Sequence, residues 1–148
     1  MTPLWTLFDE RLLEMALALP DVMTAALGDV ANVDDENLPL ILVRSESAPL
    51  EPGHHGDGQV HHAAAYPYVL AAFGEAGTYA EAKALAQSWQ LPLEGLMYDR
   101  GLFALTGDGG ERLQRVAPGE VYLEVRLSEV GDRHLGACGL SFTLHAER

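Results

Sequence analysis

The sequence predicts an α+β domain, in which a mostly antiparallel sheet carries two helices packed on one face. Segments near residues 5–19 and 79–89 repeat apolar residues at helical spacing, whereas several segments after residue 100 alternate apolar and polar residues as half-buried strands do. Hydrophobic residues make up 48% of the 148 residues, enough for one domain with a core of its own. Because the chain shows no internal repeat, we predict a single domain spanning 1–148.

The first helix is predicted to open at Thr2 and Pro3, with a capping hydroxyl followed by proline at the first helical position. Large apolar residues then recur every three or four positions until Pro20 ends the helix. These residues are Trp5, Phe8, Leu12, Met15 and Leu19. A short second helical turn is predicted over residues 22–27, ended by Gly28.

Two extended segments follow, separated by a long loop or arm at about 45–60. Residues 38–44, LPLILVR, are leucine and β-branched residues without a helical period, which predicts a buried strand. Residues 60–73 are again extended. Pro67 cannot donate to a ladder, so we expect this second strand to be at an edge there, bulged, or broken in two.

The stretch GTYAEAKALAQSW gives the clearest local signal in the chain. Thr78 and Glu81 match a capping box, in which each side chain satisfies a free backbone N–H of the first turn. The apolar face of this helix consists of Tyr79, Ala82, Leu85, Ala86 and Trp89. Pro92 is expected to close the helix. We place Trp5 and Trp89 in the core, where the two helices meet the sheet.

The remainder of the chain is predicted to form antiparallel strands. Residues 100–106 and 111–116 flank GDGG, a strong hairpin turn. Apolar residues at alternate positions in 121–127, and again in 138–144, predict two further strands that each bury one face.

The charge balance excludes most nucleic-acid-binding functions. Nine basic residues against 22 acidic ones give a net charge of −13, whereas gripping a nucleic-acid backbone requires clustered Lys and Arg. Such a chain suits a surface along which DNA slides without sticking. No apolar run approaches the roughly 20 residues that span a bilayer, and the N-terminus lacks the basic start of a signal peptide. We therefore expect a protein made and kept inside a cell.

Four of the six histidines lie in EPGHHGDGQVHH, residues 51–62, and raise the question of a metal site. The candidate ligands are His54, His55, Asp57, His61 and His62. Neighbours in an extended chain point to opposite faces, so at most one of each adjacent histidine pair easily meets a common ion. No histidine pair at helical spacing and no H-E-x-x-H motif occurs. A flexible polar loop is the favoured interpretation, and no cofactor is predicted.

No other motif indicates an enzyme. The glycine-rich GHHGDG and GDGG do not match a phosphate-binding loop, and the single lysine, Lys83, falls within the second helix. The acidic run at 34–36 lacks EF-hand spacing and is better explained as a solvated linker. Cys138 is the single cysteine, so no intramolecular disulfide can form. It is most simply a core residue. His134 is near enough in sequence to suggest a partner for a catalytic thiol, an interpretation that we give little weight. We predict that the protein is not an enzyme.

The order of elements resembles that of tailed-phage tail-terminator proteins, also called tail-completion or minor tail proteins, of which lambda-type protein U is the best-known member. The resemblance rests on the amphipathic N-terminal helix, on LPLILVR, on a strand running into GTYAEAKALAQSW, and on the last strand, GLSFTLHAE. It covers most of the chain. The long loop at about 45–60 and Pro67 depart from the compact hairpin expected between the first two strands.

The resemblance implies a structural virion protein, assembled in the host cytoplasm. Such proteins form a ring, typically a hexamer, at the head-proximal end of the tail tube, where they end tube polymerisation and join the tail to the head. The implied partners are further copies of the chain, the tail-tube protein and a head–tail connector or stopper protein, with DNA passing through the ring without specific binding. Two alternatives stay open: another connector or stopper protein, and a small metal-dependent enzyme that uses the loop histidines.

The candidate interface residues are Arg44, His54, His55, His61, Pro67 and Arg126. Arginine is favoured at interfaces, although both arginines can equally solvate the outer face of the sheet. Loops as long as 45–60 are usually functional or disordered in compact domains. We expect this loop to become ordered only against a neighbouring subunit or the tube.

Overall fold

The computed structural model of the chain describes residues 2–28, 38–46, 63–127 and 133–148. The α+β class predicted from the sequence is confirmed. No helix within these ranges is long and apolar enough to cross a bilayer. In chain order the elements are α1 (Leu4–Leu17), β1 (Thr24–Leu27), β2 (Leu40–Ser45), β3 (Ala63–Ala76), α2 (Tyr79–Ser88), α3 (Gln90–Met97), α4 (Arg100–Phe103), β4 (Arg112–Leu127) and β5 (His134–Glu147).

The five strands form one sheet in the order β1-β2-β3-β5-β4. β1 runs parallel to β2, and every other neighbouring pair is antiparallel. The long strands β3 and β5 pair along their whole length and occupy the middle of the sheet, which leaves β1 and β4 as its two edges among the described residues.

The main core lies between the helices and one face of the sheet, here called the covered face. The covered face is made by alternate strand residues such as Val43, Leu70 and Leu140, and α1 packs on it through Phe8 and Leu12. The opposite face, here called the open face, carries the intervening residues. A smaller apolar cluster lies there, formed by Leu40, Leu42, Phe73 and Leu135.

Two predictions for the N-terminal region were wrong. Helix α1 begins at Leu4, with Pro3 in the capping position and no side-chain cap, so the hydroxyl of Thr2 does not serve as predicted. Residues 22–27 contain strand β1 in place of a helical turn, and Thr24 pairs with Leu40 of β2. A segment this short cannot nucleate a helix alone, so the available sheet edge decides its conformation.

Helix α2 begins as predicted. The Oγ1 of Thr78 accepts a hydrogen bond from the N–H of Glu81 at 3.2 Å. Pro92 does not close the helical region, because α3 begins at Gln90 and holds the proline in its first turn, where the missing N–H would have had no helical partner. Trp89, between the two helices, is buried, and Trp5 packs partly buried against the same core.

Residues 100–106 do not form the predicted strand. The segment starts with the single helical turn α4, and only Thr106 bridges to Arg112. The helical turn buries Leu102 completely in the core, a tertiary gain that a short apolar run does not reveal in advance. The GDGG turn itself is present, since the N–H of Gly107 donates to the carbonyl of Glu111 at 2.9 Å.

Strand β3 passes through Pro67 without a break or bulge, and the edge alternative explains the proline. The ladder between β2 and β3 ends at the pair Ser45 and Tyr68, so Pro67 lies one residue beyond it. Its carbonyl accepts from the N–H of Glu46 at 2.9 Å and therefore points towards β2. The missing N–H lies on the same side, so no bond to β5 is lost.

The alternating segment 138–144 is buried on its apolar side, as predicted, but the segment 121–127 is not. It forms the outer half of edge strand β4, whose pairing with β5 shifts register near Arg115 and after Pro118. Its covered-face side chains are 41% exposed at Val121, 47% at Leu123 and 66% at Leu127. The prediction of a half-buried strand was wrong, because α2 reaches this edge but leaves these three side chains exposed.

Candidate interaction surfaces

The predicted metal ligands lie outside the described residues, as do three of the six predicted interface residues, His54, His55 and His61. The predicted ligands are His54, His55, Asp57, His61 and His62. In the part of the chain that the structure describes, no cluster of three or more His, Cys, Asp or Glu side chains could hold a metal ion. The predicted interface residues that can be placed are Arg44, Pro67 and Arg126.

All three of these residues belong to the open face, but Arg126 lies far from the other two. Arg44 pairs with Val69, whereas Arg126 reaches β3 only through Leu135, which pairs with Glu75. Val69 and Glu75 are six residues apart on β3, about 20 Å in an extended strand. The open face therefore carries Arg44 and Pro67 at one end and Arg126 at the other, and does not assemble all three into one site.

Arg44 lies beside a concavity of about 430 Å³ on the open face. The residues that line it include the small Ala71 and Gly139 and the carboxylates Glu46 and Glu124. Arg44 donates from Nη2 to Oε1 of Glu46 at 2.8 Å, an ion pair exposed on both sides. The concavity thus combines an apolar floor with charges of both signs, a lining that suits contact with another chain more than a reaction.

The covered face holds a partly buried polar contact between α1 and β3. The hydroxyl of Tyr68 donates to Oδ1 of Asp9 at 2.6 Å. Burial raises the pKa of Asp9, and the hydrogen bond from Tyr68 partly offsets this. Burial also raises the pKa of Tyr68 well above its usual value, and the neighbouring Asp9 adds to that effect. Tyr68 is buried and Asp9 is half-buried, so the contact attaches α1 to the sheet at the border of the core.

A second polar contact joins α1 to the start of α4. The Nε of Arg11 donates to Oδ2 of Asp99 at 2.7 Å, and its Nη2 donates to Oδ1 at 3.3 Å. This two-point hydrogen bond lowers the pKa of Asp99, although partial burial opposes the shift. This ion pair orients α1 relative to α4, so its role is structural, like that of the contact between Tyr68 and Asp9.

The thiol of Cys138 does not form a pair with His134. The two residues are four positions apart on β5, a separation of about 13 Å in an extended strand. Burial raises the pKa of the thiol, and the imidazole instead packs edge-on against the ring of Tyr79. A thiol that is buried and harder to ionise is a poor nucleophile, in agreement with its interpretation as a core residue.

Two groups of exposed apolar side chains lie at the two edges of the described sheet. We call the first group the β4 rim: Val121, Leu123 and Leu127. A second group, the β1 rim, lies across the sheet and is exposed by 56% at Leu17, 66% at Met23 and 49% at Leu27. Alternation had suggested that the β4 rim was buried, and the β1 rim lies on the segment predicted to be helical.

Comparison with known sequences does not place the chain in a family. No protein-family model matches it, and no curated protein matches it. Any functional proposal therefore depends on the surfaces described above and on the order of elements noted in the sequence.

Proposed function

We propose that this protein is a tail terminator: a structural virion protein whose copies form a ring at the head-proximal end of a phage tail tube, end tube growth and join the tail to the head connector. The observation that carries the proposal is the β4 rim, an apolar row on an exposed edge strand. The family resemblance in the order of elements supplies the finer assignment to tail termination.

An exposed edge strand is a site for association unless the protein protects it. Folded proteins usually blunt such edges with charges, prolines, bulges or a short length. Strand β4 is 16 residues long, and its last seven residues place three large apolar side chains in water. A soluble monomer gains nothing from this arrangement, whereas a protein that works in an assembly buries it against a partner.

The charge of the chain fits the same function. DNA must move through the ring of a tail terminator without being retained. A chain with a net charge of −13 repels the phosphate backbone at close range. The acidic composition therefore supports a conduit for DNA and argues against a DNA-binding role.

The test is tube growth in vitro. We expect the purified protein, added to polymerising tail-tube protein of the same phage, to produce shorter tubes that carry it at one end in electron micrographs. A Leu123→Glu variant should lose this effect, while Leu91→Glu, at an exposed site on α3, should retain it.

Tubes that grow to the same length with a saturating amount of the wild-type protein would contradict the proposal. If the protein then bound the head connector instead, it would be a connector or stopper protein. The two outcomes are separated by mixing the labelled protein with tubes and with connectors in parallel.

A further inference from the structure

We propose that the free protein pairs with itself along the outer half of β4, residues 121–127, as two antiparallel strands related by a two-fold axis at Val125. The occupant of this edge is a second copy of the chain. A two-fold contact uses the same surface of both copies, so association through it stops at two and builds no ring. The dimer is a state of the free protein that covers the β4 rim, and it does not depend on the proposed function.

The first argument is that residues 121–127 are the unprotected stretch of edge in the described sheet. The first half of β4 contains Pro118 and two register shifts, features that discourage pairing along an outer edge. The opposite edge strand, β1, has only four residues. From Val121 to Leu127 the pairing with β5 is regular, and no strand among the described ranges pairs with the outer side. Such an edge offers backbone N–H and C=O groups to another extended strand.

The second argument is the position of the charges in this stretch. Glu124 and Arg126 flank Val125 on the open face, and both are exposed. Neither forms an ion pair with another described residue. The two charges balance, so they do not attract a partner by net charge. They specify positions instead, because a paired strand has to place a cation opposite Glu124 and an anion opposite Arg126.

The same stretch in a second, antiparallel copy supplies both charges. With the two-fold axis at Val125, Glu124 of each copy lies opposite Arg126 of the other, on the open face. On the covered face, Leu123 of each copy lies opposite Leu127 of the other. Moving the axis by one residue, to Glu124 or to Arg126, places like charges directly opposite each other, which is destabilising. The sequence of the edge is therefore complementary to itself in one register.

The test reverses the two charges one at a time and measures molar mass by light scattering over a concentration series. Glu124→Arg places two arginine pairs across the axis, and Arg126→Glu places two glutamate pairs there. We expect each variant to dimerise about tenfold more weakly than the wild type, or worse. Arg115→Glu is the matched control, because it makes the same change in net charge at an exposed residue in the first half of β4. The control should dimerise like the wild type.

Recombining the reversed charges identifies the register. An equimolar mixture of Glu124→Arg and Arg126→Glu pairs arginine with glutamate at both positions, so we expect a heterodimer at concentrations where each variant alone is monomeric. The double variant carries both changes and restores unlike pairs between its own copies, so it should regain wild-type association. A contact between β4 and a different edge would not be restored in either way. Failure of both rescues would overturn the two-fold contact.

A cysteine placed on the axis tests the geometry directly. Val125→Cys brings two thiols opposite each other in the dimer, within reach of a disulfide under mild oxidation. Val121→Cys is the control, because its two copies lie about 26 Å apart along the paired strands. The wild type, whose Cys138 is buried, gives the background. We expect a covalent dimer for Val125→Cys alone on a non-reducing gel.

Equal cross-linking of the two cysteine variants would overturn the proposed register. A wild type that is monomeric at every concentration, or one whose oligomers survive both charge reversals, would overturn the contact itself. None of these results bears on tail termination, which the tube-length assay tests separately.

Discussion

Strands β4 and β5 carry the same alternation of apolar and polar residues, but they differ in burial. Leu140 of β5 is 3% exposed, whereas Leu123 of β4 is 47% exposed, although both side chains point to the covered face. β5 lies between β3 and β4 with α2 and α3 packed over it. β4 is also contacted by α2 and α4, but within the described residues it has a neighbouring strand on one side only. Alternation therefore reports the face to which a side chain points, and the position of the strand in the sheet decides whether that face is covered.

The contrast also separates two uses of apolar surface. On β5 the apolar side chains stabilise the fold of one chain, because helices bury them. On β4 the same kind of side chain contributes little to the isolated chain and is available for association. Substitutions of one type, made on both strands, should separate these two roles.

The largest difference is expected for truncation of matched leucines. Leu140→Ala should lower the free energy of unfolding by about 2–5 kcal/mol, because it leaves a cavity in the core. Leu123→Ala should change it by less than about 1 kcal/mol, since the side chain is already half in water. Urea denaturation of the dilute proteins measures both values. Equal losses would show that the β4 rim is covered within the single chain.

An intermediate difference is expected for two glycines of β5 that lie on opposite faces. A Cβ at Gly136 would clash with the carbonyl oxygen of Ala82 in α2, so Gly136→Ala should cost about 1–3 kcal/mol as the helix is displaced. A Cβ at Gly139 would lie 3.5 Å from the ring of Tyr122 on the open face, an ordinary contact. Gly139→Ala should therefore leave the melting temperature close to that of the wild type. A large loss at Gly139 would mean that the open face is packed as tightly as the covered one.

The smallest difference is expected for the two arginine pairs. Arg11→Met removes the partly buried two-point contact with Asp99 and should cost about 0.5–1 kcal/mol at pH 7. Arg44→Met removes an exposed pair with Glu46 and should change stability by no more than about 0.5 kcal/mol. Denaturant melts of the two variants and the wild type at pH 7 test this order.

The Arg11 effect should also depend on pH. The pKa of Asp99 is lowered in the folded chain by its hydrogen bond with Arg11, so the unfolded state binds the proton more readily. The stabilisation is present above the unfolded pKa of about 3.9 and is lost as the pH falls through the folded value. The difference between the wild type and Arg11→Met should therefore shrink below about pH 4. A difference that stayed constant down to pH 2 would show that Asp99 is not the partner that matters.

The sequence by itself determined the elements whose signals are local. The Thr78 cap marks the start of α2, because its hydrogen bond joins groups three residues apart and needs no partner from elsewhere. The strand at 138–144 follows from its alternation, which suits a sheet with one buried side. The same analysis named Arg44 and Arg126 as interface candidates, and the structure places both on the open face.

Only the tertiary structure decided the short elements and the coverage of the edges. The four-residue segments β1 and α4 have too few residues for a conformational preference of their own. β1 is a strand because it pairs with the edge of β2, and α4 is a helical turn because this conformation buries Leu102 in the core. Whether a strand lies in the middle or at an edge depends on pairing between distant segments, and the two apolar rims follow from that order. The face of the sheet to which a side chain points is a local property of the backbone, whereas its burial is set by elements that are distant in the chain.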